Sequence, residues 1–349
     1  LFYFLQKYLF LIGNRKPLVN KKRPLVKSKK EHWSKNIVLF RNFYKQIYIM
    51  KTTLILAALL FLLMTVKSRA QVSFKTEYFG TSDYKNNDGN KVGNSKGSAM
   101  VYSGIANIPL AVKINKDSLS STWILNLSGD HSSLDNKNFT QDLVLSHITN
   151  LQLSVVNIRQ LSQKWSLIAF AGAGIYTSET QISKVNANSI LSNGGAIFVK
   201  KINPKLDLGA GLALTNTLGY PMFFPALYVN YNSEGKYTFK FSMLNGIQAS
   251  AGYNFNKTFD LHLIAEMNGQ MALLKKDGKN VIFTHQYVVA GLRPEIKINK
   301  NISLPITLGI NAVRFAYFQD RNLKSFFKDK ESSYFDFSPY AAAQINYKF

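Results

Sequence analysis

The chain has 349 residues with 43 Lys and Arg against 19 Asp and Glu, a formal charge of +24, and no cysteine. The missing thiols exclude a disulfide framework, thiolate metal sites, a cysteine nucleophile and a lipidated N-terminal cysteine. Charged residues are only 18% of the whole, yet the mean hydropathy of −0.07 is too polar for a bundle of membrane helices and fits alternating apolar and polar positions.

The basic excess is unevenly placed. Residues 1–49 carry 12 of the basic residues and a single acid, Glu31, so the total charge is a poor argument for nucleic-acid binding, and no nucleic-acid partner is expected. The first Met is Met50; Lys51, the apolar run Thr52–Val66 and Ser68-Arg69-Ala70 follow. A charged start, a short apolar core and a small-x-small site are the three parts of a secretory signal peptide, and the run falls short of the roughly 20 residues a spanning helix needs. The expected organisation is a mis-started or spurious leader over 1–49, a signal peptide over 50–70 and one domain over 71–349.

From Gln71 onward the apolar period is two. Segments near 71–80, 98–114, 120–131, 140–160, 164–177, 190–202, 206–217, 223–232, 236–243, 246–255, 258–273, 285–299, 302–318 and 334–349 read as about fourteen strands. In one of them Ile302, Leu304, Ile306, Leu308 and Ile310 face Ser303, Pro305, Thr307, Gly309 and Asn311. These runs are longer than the usual soluble strand, and their polar face is small and uncharged, which suits lipid outside and a polar lumen inside. Long polar connections are expected at Ser82–Gly97, Ser178–Ser189, Leu274–Thr284 and Gln319–Ser333. Short ones separate them, such as Asn115-Lys116-Asp117, Asn203-Pro204-Lys205 and Lys300-Asn301. The expected fold is an all-β transmembrane antiparallel up-and-down β-barrel of about 14 strands in the cell outer membrane.

Aromatic residues gather at the short-turn ends, with Trp123, Trp165, Tyr237, Phe259 and Tyr347 as candidate membrane-interface anchors. The terminal run Gln344-Ile345-Asn346-Tyr347-Lys348-Phe349 resembles the closing strand of outer-membrane barrels. That likeness implies recognition of Tyr347 and Phe349 by the barrel-assembly machinery. Over Gln71–Phe349 the chain also resembles a domain-of-unknown-function family of predicted outer-membrane barrels. Val72–Tyr78, Phe170–Tyr176, Leu208–Thr217 with Gly219-Tyr220-Pro221, and the Phe349 terminus carry the likeness. The family implies a fold and no activity.

Candidate chemistry is sparse. The five His show no metal-ligand spacing, and Ser146-His147 are sequence neighbours that point to opposite faces, so neither an enzyme nor a metal or cofactor is expected. Gly172, Gly174, Gly209 and Gly211 recur at period two and read as relief of crowding within strands. The informative polar set is Lys240, Glu266, Arg293, Glu295 and Lys297, placed on the lumen face because a charge facing lipid costs roughly 2–4 kcal/mol near the midplane. Two readings of it stand side by side: a selective constriction for a small solute, or an internal ion-pair network that stiffens a closed barrel. Arg314 has the opposite parity and would meet lipopolysaccharide phosphates near the long-loop end. The functional expectation is a monomeric passive channel in contact with lipid and lipopolysaccharide. A hydrophobic-compound transporter and a non-conducting structural or adhesive barrel are the alternatives.

Overall fold

The computed structural model describes residues 70–179, 185–243, 246–327 and 332–349. The proposed leader over 1–49 and all of the signal segment except Ala70 lie outside the described residues. The strands are β1 (Gln71–Lys85), β2 (Lys91–Ile114), β3 (Ser120–Lys137), β4 (His147–Gln160), β5 (Trp165–Thr177), β6 (Ile190–Asn203), β7 (Leu206–Thr215) and β8 (Met222–Ser233). They continue with β9 (Tyr237–Ser242), β10 (Ile247–Asn254), β11 (Phe259–Lys276), β12 (Lys279–Lys297), β13 (Ile302–Asp320), β14 (Tyr334–Phe335) and β15 (Ser338–Lys348). Each strand from β1 to β13 pairs antiparallel with its sequence neighbours, and β14 with β15 forms one interrupted stave. That stave pairs with β13 on one side and β1 on the other, with Gln71 opposite Lys348 and Phe79 opposite Tyr340. Fourteen staves thus close into a barrel, and the Phe349 N–H donates to Ala70 O at 2.9 Å to finish the seam. No described helix is long and apolar enough to cross a membrane.

Period-two alternation sorts the side chains. On β6 to β8 Phe198, Leu212, Phe223 and Leu227 are 52%, 58%, 69% and 64% exposed on the outer face. Such a band of large apolar side chains would be strongly disfavoured in water and suits hydrocarbon. On the inner face Gly209 lies against Ile197 and Val199, and a Cβ there would come 2.9 Å from Val199 Cγ2. Gly211 is tighter, with a Cβ falling 2.0 Å from Ala196 O. The alternating glycines let bulky inner neighbours cross them without prising the strands apart.

The strand expected over 140–160 begins only at His147, and two further features depart from the regular reading. First, Ser82–Gly97 and Leu274–Thr284 are not loops. β1 and β2 run out to a turn at 86–90, and β11 and β12 pair to Lys276 opposite Lys279, so both are extended hairpins. Their tips are polar, and the flanking Tyr84 and Val281–Phe283 are buried in the mouth instead of facing lipid, so the strand sequence there no longer looks lipid-facing. Second, β-bulges reverse sidedness. Val288 pairs with Val313 and Val289 with Asn311, leaving Ala312 unmatched. The inner residues of β13 therefore switch from Thr307 and Asn311 to Arg314 and Ala316. Arg314 is consequently not on the lipid face; it is fully buried inside the barrel.

The long-loop half of the interior is filled. Phe79, Tyr84, Val101, Leu134, Ile148, Phe283, Phe335 and their neighbours form a core, onto which Phe139, Leu143, Val144 and Leu145 of the β3–β4 loop pack. Beyond the pair Ile247–Met267, β11 has no β10 partner, because β10 ends there. Its free edge turns inward instead. Leu273 O accepts from Ser189 Oγ at 3.2 Å, Gln270 Oε1 accepts from Ser132 Oγ at 3.1 Å, and Asn150, with its amide nitrogen turned inward, reaches Met271 O at 2.7 Å. Leu273 and Ile282 then pack on Leu191 and Leu218, beside Tyr176, Phe224 and Met271. Residues whose parity in a round barrel would face lipid are thereby buried within the mouth.

Candidate functional site

Below this filled region the interior carries a charge network. Lys75 and Glu77 on β1, Glu266 on β11, Tyr287 and Arg293 on β12, Thr307 on β13 and Tyr340 on β15 all point inward from one arc of the wall. Glu77 accepts from Tyr340 Oη at 2.6 Å, Tyr287 Oη at 3.0 Å and Lys75 Nζ at 2.8 Å. Glu266 receives Arg293 Nη1 at 2.6 Å and Lys75 Nζ at 3.4 Å, while Arg293 Nε donates to Thr307 Oγ1 at 2.8 Å. Buried carboxylates are tolerable only when donors surround them, and here every carboxylate oxygen of the pair has one. Glu77, Lys75 and the two tyrosines are the members that sequence alone did not single out. Their strands lie at opposite ends of the chain, and only closure between β1 and β15 brings them together.

Nearer the short-turn rim, Asp260 and His262 stand two residues apart on β11, with Glu295 of β12 directly opposite Asp260. His262 Nε2 lies 3.8 Å from Glu295 Oε2, and Lys297 Nζ contacts Asp260 Oδ2. The donor atoms of Asp260, His262 and Glu295 all lie within 4.8 Å of one another. Among the described residues, these three could hold a metal ion. The spacing D-x-H followed by a distant Glu carries no recognisable motif, because cross-strand register supplies the third group.

Of the expected lumen set, Glu266 and Arg293 form one pair, and Lys297 and Glu295 meet Asp260 and His262 respectively. Lys240 is exposed on the inner face of β9, opposite Asn232 and Ser250, and makes no ion pair among the described residues. The wall across from these charges is apolar. Ile168 and Phe170 of β5 and Ile197 and Val199 of β6 share its inner face with Gly195, Gly209 and Gly211, and Phe170 rests over Gly195.

The expected interface aromatics cluster at the short-turn rim. Tyr237, Tyr253 and Phe255 meet edge-on in succession at 5.2 and 4.7 Å, Phe259 lies tilted on Phe255 at 5.5 Å, and Tyr347 meets Phe349 edge-on at 4.5 Å. Trp123 and Trp165 are exposed on the outer face, with Lys200 Nζ 5.5 Å from the Trp165 ring centre. Arg314 lies far from these, at the base of the filled mouth. Its guanidinium covers Phe335 at 3.9 Å and donates through Nη2 to Gly97 O at 2.9 Å, while Nε and Nη1 have no hydrogen-bond partner among the described residues. His285 is buried beside it and bonds Gln270, whereas His131 and His147 stack on each other at 6.0 Å.

Closure of the backbone ladder, an apolar exterior and inward-facing charges define the class: a transmembrane β-barrel. The chain belongs to the family described as a domain of unknown function, DUF6268, which matches residues 66–348. No curated protein matches it. Among solved structures it is similar to the COG4313 outer membrane channel from Pseudomonas putida F1, at 12% identity over 82% of this chain and 97% of that one, with a TM-score of 0.40. It is also similar to the translocator domain of autotransporter NalP from Neisseria meningitidis, at 11% identity over 86% and 96% of the two chains and a TM-score of 0.31. LpxR from Salmonella typhimurium matches at 8% identity over 79% and 100%, again with a TM-score of 0.31.

Proposed function

We propose that the protein is a monomeric outer-membrane channel for a small solute, with its long-loop mouth closed in the resting state. The observation that carries this reading is the uneven filling of the lumen. The long-loop half is blocked by one loop (138–146) and by the free-edged half of β11–β12, which are held there by apolar packing on the core and by side-chain hydrogen bonds. The short-turn half keeps Lys240, Glu295 and Lys297 partly exposed inside the wall. Withdrawal of the loop, which carries no ladder pair, would open a path toward the charge network while β12 keeps its pairing with β13. In this reading Arg293, Glu295, Lys297, Glu266 and Lys240 set solute preference through their field in a narrow lumen. The outer apolar band meets lipid, the lysine-rich long-loop rim meets lipopolysaccharide phosphates, and the Tyr347–Phe349 end engages the assembly machinery.

The apolar inner wall of β5 and β6 supports a variant of the same idea, in which the solute carries an apolar face. No catalytic step is part of the proposal. Planar-bilayer recording tests it, with the wild type beside a deletion of residues 140–145. The deletion should raise the open probability or unit conductance, and Arg293→Ala or Glu295→Ala within it should shift ion selectivity. A silent bilayer from folded, heat-modifiable protein of both kinds would instead establish a structural barrel.

A further inference from the structure

We propose that Asp260, His262 and Glu295 form a binding site for a divalent transition-metal ion at the short-turn mouth of the lumen, occupied in its metal-free state by the Lys297 ammonium. One imidazole nitrogen and two carboxylates are a donor set for a borderline ion such as Zn²⁺. The three groups come from directly paired strands, so their positions are fixed by the β11–β12 ladder rather than by a loop. Their donor atoms already lie within 4.8 Å of one another. A tetrahedral ion with bonds of about 2.1 Å would set its donors roughly 3.4 Å apart, a contraction that side-chain rotation supplies.

Two independent features point to a ligand. Asp260 is 5% exposed and turns Oδ2 to Lys297, but its Oδ1 is buried without any hydrogen-bond partner. A buried carboxylate oxygen left bare is costly, and a cation would satisfy it. Second, His262 has a place made for it. A Cβ on Gly252 would overlap His262 Nδ1 and fall 2.6 Å from Thr238 Oγ1, so the imidazole occupies the space the glycine leaves, with Nε2 3.8 Å from Glu295 Oε2.

Charge balance gives Lys297 its role. Two carboxylates and one ammonium leave the cluster with one negative charge in excess, and exchange of the ammonium for a divalent ion makes it neutral. Lys297 closes β12 at the rim and is about a third exposed, so its side chain can swing into the aqueous mouth.

The test uses the tag-free full chain, folded in detergent, stripped with EDTA and titrated with ZnCl₂ or CoCl₂ by calorimetry and visible absorption. One equivalent of Zn²⁺ should bind, and Co²⁺ should give a d–d band. His262→Gln and Glu295→Gln should each weaken binding by at least about tenfold, the scale seen when metal-site groups are lost. Lys297→Ala should tighten it, because the competing ammonium is gone. His147→Gln, at the remote His131–His147 stack, should leave it unchanged. Heat-modifiable gel mobility certifies each variant as folded, and the Lys297→Ala arm stands even where His262→Gln misfolds. Absence of saturable binding by the wild type, binding indifferent to His262→Gln, or weakening by Lys297→Ala would overturn the assignment.

Discussion

Glu77→Ala should be among the most destabilising single substitutions in the barrel. It removes the acceptor of the Tyr340 hydroxyl at 2.6 Å and of the Tyr287 hydroxyl at 3.0 Å, and the partner of Lys75 at 2.8 Å. Tyr287 and Tyr340 are buried, so neither hydroxyl finds water in exchange. Each orphaned donor costs about 1–3 kcal/mol. Lys75 keeps only the longer contact with Glu266 at 3.4 Å, which adds a further loss. The expected total is about 3–6 kcal/mol, near the range for breaking a buried ion pair from one side. Glu77→Gln preserves the shape and one acceptor oxygen and should lose about half as much. Reversible urea unfolding in lipid vesicles, followed by tryptophan emission and gel mobility, gives both values. A Glu77→Ala barrel within about 1 kcal/mol of wild type would show that the network bears little of the stability assigned to it.

Other substitutions separate the two faces of the wall. Leu212→Arg places a charge on the outer band and should cost roughly 2–4 kcal/mol in bilayers, whereas Asn230→Arg on the inner face of β8 should cost far less; equal costs would contradict the assigned sidedness. Arg314→Met removes two buried nitrogens without hydrogen-bond partners along with one good hydrogen bond, and should leave stability unchanged or raised. Arg314→Ala opens a void and should lose about 2–5 kcal/mol, measured by the same unfolding assay. Gly252→Ala forces the His262 ring aside, costing about 1–3 kcal/mol through overpacking and weakening Zn²⁺ binding, which calorimetry would read directly.

Strand number, sidedness and the short-turn rim were legible in the sequence because each rests on local alternation and turn residues. Leu206–Thr215 and Ile302–Asn311 show their faces without reference to any partner. Arg314 was misplaced because one unmatched residue, Ala312, reverses parity, and a bulge leaves no mark in a period-two pattern. The two extended hairpins were hidden because their tips, Asn86–Asn90 and Lys275–Asn280, are polar, while the apolar residues beside them, such as Tyr84 and Val281–Phe283, pack inside the mouth and break the simple alternation. The inward turn of β11 follows from the early end of β10, a difference in strand length that alternation cannot report. Lumen charges were found by parity, but their pairing was not. Glu77 meets Tyr340 across 263 residues of sequence, and that distance closes only when the barrel does.

The central claim is a closed wall with hydrocarbon outside and a separate interior, and the absence of native cysteine allows a direct measurement of it. Single cysteines placed in turn along Phe223–Asn230 of β8 would carry a fluorophore in vesicles containing a bilayer-embedded quencher. Quenching should alternate strictly, strong at Phe223, Pro225, Leu227 and Val229 and weak at Phe224, Ala226, Tyr228 and Asn230. Uniform quenching along the strand, or attack by a water-soluble thiol reagent at Leu227 as fast as at Tyr228, would contradict it.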